Sequence, residues 1–134
     1  MELEWREVYE TGIKEIDDQH RELFKILKQI SDAPMHEKGL IAKDTFQGAI
    51  DYATYHFKTE EEYWDKIHLP KRMIDKHKIE HDKYIKNLND ILNYFHDGLF
   101  LSMTMADFLK EWMIGHILGE DQEYVKWVRD NDIQ

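Results

Sequence analysis

Apolar positions recur at three- and four-residue spacing along four stretches of the chain, the signature of helices with one buried face. The first stretch runs from about residue 17 to residue 33, with Ile16, Leu23, Phe24, Leu27 and Ile30 in step. Asp17 and Asp18 read as its amino-terminal caps, and Pro34 as its stop. The second covers about 40–67, with Phe46, Ala49, Ile50, Ala53, Phe57 and Trp64 on one face. The third begins at Pro70, a favoured first-turn residue, and closes near Asp97-Gly98. The fourth starts near Thr104, with Met105, Phe108, Leu109, Trp112 and Met113 inward, and continues to about Arg129. No strand-like alternation, repeat or long linker interrupts the pattern. The predicted fold is all-α: an up-down-up-down antiparallel four-helix bundle in a single domain over 1–134. Residues 1–16 form an amino-terminal arm with Trp5, Val8 and Tyr9 packed outside, and the tail KWVRDNDIQ caps the bundle with Trp127 tucked in.

Each apolar stripe is broken by groups that a core should not hold. His20 falls in step with Ile16, Leu23 and Leu27. His56 and Glu60 sit in the second stripe, His77 and His81 in the third, and His116 one turn after Trp112 in the fourth, followed by Asp121. A four-residue step turns about 400°, so these residues share the inward faces. In an antiparallel bundle they also share a level, within roughly 5–15 Å of one end at ~1.5 Å rise per residue. A lone inward histidine is ordinarily a hydrogen-bonded core residue. Five histidines and two carboxylates converging from all four stripes need compensation that only pairing or metal supplies. They exceed one metal's needs, so two imidazole-binding metals bridged by the carboxylates are implied. Iron is the natural candidate, although ligand softness alone also admits zinc, copper or manganese. Asp121 lies five residues beyond His116, about 140° off its face in a regular helix, so the helix must distort or end near Gly119. His36, His68 and His96 fall off this level and read as surface residues.

Composition narrows the partners. The formal net charge of −10 makes nucleic acid a poor partner, and no stretch approaches a membrane span. There is no cysteine, which excludes thiolate catalysis and Cys-based metal sites. The start, MELEWREVYE, lacks the basic segment and apolar run of a signal peptide, so a cytoplasmic monomer is expected.

In order and spacing, Trp5, Gly12, "IDDQH" ending at His20, "HFKTE" at 56–60, "HKIEH" at 77–81 and "HILGED" at 116–121 resemble the hemerythrin family in its single-domain bacterial form. The resemblance covers nearly the whole chain. It implies two iron ions. His77, His81 and His116 would complete one, and His20 and His56 would hold the second with one position open. Glu60, Asp121 and an oxo or hydroxo group would bridge them. It further implies reversible binding of molecular oxygen in a dry pocket, walled by position with Leu23, Phe24, Phe57, Trp112, Met113 and Ile117. The protein would then be an oxygen carrier, a store, or a delivery protein for an oxygen-consuming enzyme, and not itself an enzyme.

Three rivals are weaker. Di-iron carboxylate enzymes use Glu-x-x-His pairs, and no glutamate here has a histidine three residues later. "HKIEH" fits the inverted zinc-peptidase pattern, but Glu80 would point about 60–100° away from its two histidines. An oxygen or redox sensor would need a separate partner, met through a patch around Trp5, Tyr9 and Phe100. Reactivity toward peroxide, nitric oxide or sulfide is compatible with the same ligands.

Overall fold

The computed structural model describes residues 4–131. Among these it holds six α-helices and no strand: α1 (Lys14–Ser31), α2 (Met35–Lys38), α3 (Lys43–Lys66), α4 (Lys71–Tyr94), α5 (Gly98–Gly115) and α6 (Asp121–Asp130). A π-helical turn, His116–Glu120, joins the last two, and a 3-10 turn, Glu7–Tyr9, precedes the first. The long helices form a helical bundle. α1 packs on α3 and α5, and α4 packs on the same two. Its main core joins Leu23, Leu27, Ile30, Phe46, Ile50, Leu88, Leu101, Met105 and Leu109 from all four. No helix is long and apolar enough to cross a membrane, among the described residues.

Several boundaries differ from the sequence expectation. α1 begins at Lys14, not near residue 17, and neither Asp17 nor Asp18 caps it. Asp17 is instead buried within the first turn and accepts from the Thr11 amide (2.8 Å), the Thr11 hydroxyl (2.8 Å) and the Gly12 amide (3.1 Å). This ties the arm to the helix start, and Gly12 turns the chain there at φ 85°, a conformation that costs glycine little. The arm therefore ends at residue 13. Tyr9 is buried, with its ring centroid 5.2 Å from Phe24 and 5.5 Å from Trp5. Val8 is exposed, contrary to expectation, and the patch proposed around Trp5, Tyr9 and Phe100 is absent because only Phe100 of the three is exposed.

The segment before α3 is also helical, over Met35–Lys38. Its Lys38 ammonium donates to the Ile30 and Ser31 carbonyls (3.1 and 2.8 Å), meeting acceptors left over at the end of α1. α4 stops at Tyr94, earlier than the expected Asp97-Gly98, and α5 starts at Gly98, six residues before Thr104. Asp97 makes that start, its carboxylate accepting from the amides of Leu99 (2.9 Å) and Phe100 (3.1 Å). The Asp-Gly pair that reads as a stop is thus the cap of the next helix. Trp127 is half-buried in a smaller cluster with Trp64, Ile67, Leu69 and Tyr124, and the expected tail beyond Asn131 lies outside the described residues.

The close approach of α2 to α5 makes one position intolerant of a side chain. A Cβ on Gly98 would lie 2.6 Å from the Gly39 carbonyl oxygen, a backbone atom that cannot swing aside. Gly98→Ala is expected to cost ~1–3 kcal/mol in denaturant unfolding. Gly39→Ala, whose Cβ would meet nothing nearer than the Leu99 nitrogen at 3.8 Å, should cost distinctly less. Equal stabilities for the two variants would contradict the packing.

Candidate metal centre

The structure brings all seven predicted groups together. His20 comes from the second turn of α1, His56 and Glu60 from the second half of α3, His77 and His81 from the first half of α4, and His116 from the π-helical turn. All are buried; His20, His56, Glu60, His116 and Asp121 are fully so. The π turn explains Asp121. Its backbone N–H bonds to the His116 carbonyl, five residues back, and this wide turn returns residue 121 to the inward face that a regular helix would miss. The distortion expected near Gly119 is this turn.

Every one of the five imidazoles aims Nε2 at a carboxylate oxygen. Glu60 Oε1 lies 3.1 Å from His56, 3.3 Å from His81 and 3.2 Å from His116. Asp121 Oδ1 lies 3.0 Å from His116 and 3.2 Å from His77, and its Oδ2 lies 3.1 Å from His20. Two overlapping groups have ligand atoms within 4.8 Å of one another: His20, His56, Glu60, His116 and Asp121, and Glu60, His77, His81 and His116. His116 stands in both.

Among these contacts, that of His116 Nε2 with Glu60 Oε1 (3.2 Å) has hydrogen-bond geometry, and most of the others do not. Both nitrogens of His20, the Nε2 atoms of His56, His77 and His81, and both oxygens of Asp121 are buried without a hydrogen-bond partner. Lone pairs converge where donors are lacking. Each such group would cost on the order of 1–3 kcal/mol of desolvation if left unmade. A cation among them satisfies every member except the Nδ1 of His20 at once, so the residues present fit a metal. The titration behaviour has the same sense. Burial raises the Glu60 carboxyl, yet the neighbouring imidazoles of His56, His116 and His81 outweigh it and hold the group well below its ordinary value. Burial and the Glu60 charge raise Asp121, but His116 and His20 hold it low. Burial lowers His116, and Asp121, Glu120 and Glu60 more than reverse this, so it ionises well above the usual imidazole range. Burial wins at His56 and lowers it.

A second layer was not foreseen from the sequence. The His56 Nδ1 lies 2.8 Å from Gln19 Oε1, and the Gln19 amide donates to Thr59 Oγ1 (3.1 Å). The His81 Nδ1 lies 3.1 Å from Glu61, and the His116 Nδ1 lies 3.0 Å from Glu120. A carboxylate only accepts, so Nδ1 carries a proton in His81 and His116, and in the neutral ring Nε2 is the nitrogen left to meet a metal. The Tyr124 hydroxyl donates to Glu60 Oε2 at 2.7 Å, and burial followed by the two nearby carboxylates pushes it well above its usual ionisation. The Tyr84 hydroxyl donates to Glu120 (3.2 Å); burial and that carboxylate push it up to about 12, so it stays a donor. The available signal was adjacency: Gln19 precedes His20, Glu61 follows Glu60, and Glu120 lies four residues after His116.

The six residues expected to wall a pocket are all buried in the main core. Phe57 stacks on His81 (centroids 3.8 Å apart, 10° between planes), and Trp112 stacks on His116 (5.4 Å, 22°). Phe24 is shared with the arm through Trp5, at 5.4 Å. Leu23, Met113 and Ile117 belong to the same apolar core. His36, His68 and His96 are exposed and take no part, and Glu80 lies outside both groups.

A bundle of helices that buries five imidazoles around two carboxylates belongs to the class of metal-binding helical proteins. Comparison with known proteins gives the family. The model of the hemerythrin HHE cation binding domain matches residues 11–128. A bacteriohemerythrin of Clostridium acetobutylicum is 33% identical over 129 residues, covering 90% of this chain and 97% of the relative. One from Stenotrophomonas maltophilia is 28% identical, covering 95% and 82%, and a hemerythrin-like protein of Naegleria gruberi is 26% identical, covering 90% and 88%. The chain belongs to the hemerythrin family, and membership implies a non-heme iron site.

Proposed function

We propose that the protein is a non-heme di-iron protein that reversibly binds molecular oxygen, as a carrier, a store or a delivery protein. The observation that carries this is the convergence of five Nε2 atoms within 3.0–3.3 Å of two fully buried carboxylates. His77, His81 and His116 would hold one iron and His20 and His56 the other, with Glu60, Asp121 and a solvent-derived oxygen as bridges. When bound, a ferrous pair supplies two electrons to an oxygen ligand, one from each iron. The up-down-up-down antiparallel order belongs to the same reading. It is supported by the short connections, and by the early His20, late His56, early His77 and late His116 meeting at one level.

The chain's own part is to fix donors and keep water out. Gln19, Glu61 and Glu120 hold three imidazoles by their far nitrogens, so the rings meet the metals in one tautomer and one orientation. Tyr124 fixes Glu60 from the opposite oxygen. Phe57, Trp112, Met113, Ile117, Leu23 and Phe24 surround the centre with apolar atoms, which slows delivery of the protons that would turn binding into oxygen consumption. Five neutral imidazoles against two carboxylates also give less support to strongly oxidised iron than a carboxylate-rich set would. Both features favour a binding protein over an enzyme.

The test is the visible spectrum of the iron-loaded, reduced protein before air, after air and after oxygen is removed. A new charge-transfer band that appears with air and disappears on deoxygenation is expected; rapid, irreversible oxidation would contradict reversible binding. The outer layer gives a second expectation. Gln19→Leu removes the His56 partner while keeping the volume close, and should weaken metal binding about 10–100-fold in chelator competition with the helix content unchanged. Unaltered affinity would remove Gln19 from the site.

A further inference from the structure

The outer layer is charged on one side only. The imidazoles of His81 and His116 each meet a carboxylate, Glu61 at 3.1 Å and Glu120 at 3.0 Å. His56 meets the neutral amide of Gln19 at 2.8 Å, and the Nδ1 of His20 has no partner. The two glutamates sit at the rim, their side chains 29% and 24% exposed. Lys78, 3.9 Å from Glu61, and the Tyr84 hydroxyl on Glu120 temper these charges without cancelling them. We propose that Glu61 and Glu120 are positioning residues that, acting through His81 and His116, hold one metal of the pair at a lower reduction potential than the other. The inference rests on the division of ligands proposed above, which gives His81 and His116 to the same iron.

The physical basis is twofold. A carboxylate accepting from Nδ1–H draws that proton toward itself and makes the opposite nitrogen a stronger donor. Its negative charge, one ring away in a low-dielectric interior, also favours the more positive ferric state. The His20–His56 side receives neither influence. The iron on that side would stay ferrous more readily, and it is the side that the proposed function leaves open to ligand.

The test uses the full chain loaded with iron and the variants Glu61→Gln, Glu120→Gln and Gln19→Glu. Each glutamate-to-glutamine change keeps an acceptor for Nδ1 and removes only the charge. In a potentiometric titration, Glu61→Gln and Glu120→Gln are expected to raise the same one-electron step, and Gln19→Glu to lower the other. Zinc affinity in chelator competition should fall by up to about tenfold in the two glutamine variants, toward the low end for an outer partner that keeps its hydrogen bond. Unchanged potentials with two irons bound, or shifts of different steps by Glu61→Gln and Glu120→Gln, would overturn the inference. Should one glutamine variant fold poorly, the other and Gln19→Glu still decide it. Fewer than two irons in the unaltered protein is a separate result; it overturns the ligand division itself, and this assignment with it.

Discussion

Glu60→Gln is expected to fold and to bind less than one iron per chain. Glu60 is the single residue on which His56, His81 and His116 all converge, through one oxygen, while Tyr124 holds the other. It is also the member common to both overlapping ligand groups apart from His116. Glutamine matches its shape and keeps an oxygen for the Tyr124 hydroxyl, but it has neither the charge nor the second oxygen that a bridge requires. Glu60→Ala should be worse: it leaves the Tyr124 hydroxyl buried without its acceptor and the Nε2 atoms of His56, His81 and His116 without the carboxylate beside them, a loss of about 3–5 kcal/mol in a domain whose total stability is roughly 5–15 kcal/mol. By contrast, His56→Ala should lose mainly the iron proposed to bind oxygen and retain the other. Iron content by mass spectrometry or colorimetry, with circular dichroism as the folding control, reads all three. Two irons in Glu60→Gln would refute its bridging role.

Removing the metal should lower the midpoint of thermal unfolding by about 10–20 °C. A cation that binds only the native state at ~1,000 times its dissociation constant adds about 4 kcal/mol, and for a domain of this size each kcal/mol corresponds to roughly 3–5 °C. The structure gives the reason that the effect should be large. His20, His56, His77, His81 and Asp121 all carry buried atoms with no hydrogen-bond partner, so the chain alone has no way to satisfy them. Some relief comes from protonating His116 between the two carboxylates. Differential scanning calorimetry before and after exhaustive chelation, then after iron is restored, measures the shift. Equal midpoints with iron fully removed would mean that the cluster is satisfied without metal.

The seven converging residues were legible in the sequence because burial and polarity conflict there. A histidine in step with leucines violates the helical pattern, and seven such violations at one level leave a metal as the economical explanation. The wide turn at His116–Glu120 was legible for a related reason: a five-residue spacing between two inward groups cannot be met by a regular helix. The outer partners were not legible. Gln19, Glu61 and Glu120 occupy the edges of their helices, where glutamine and glutamate are ordinary, and only the packed neighbours reveal that each aims at an imidazole nitrogen. Helix limits failed where local chemistry was ambiguous. Asp17 read as a cap because of its position, although its acceptors serve the Thr11–Gly12 turn from inside the helix. The start of α5, "GLFLSMTM", is apolar on nearly every face, so periodicity gave no boundary and the Asp97 cap passed for a stop.

The most direct measurement is anomalous diffraction at the iron edge from crystals of the iron-loaded protein. Two iron peaks are predicted between Glu60 and Asp121, one bounded by His77, His81 and His116 and the other by His20 and His56. A single peak, or none with full occupancy by another metal, would contradict the di-iron account.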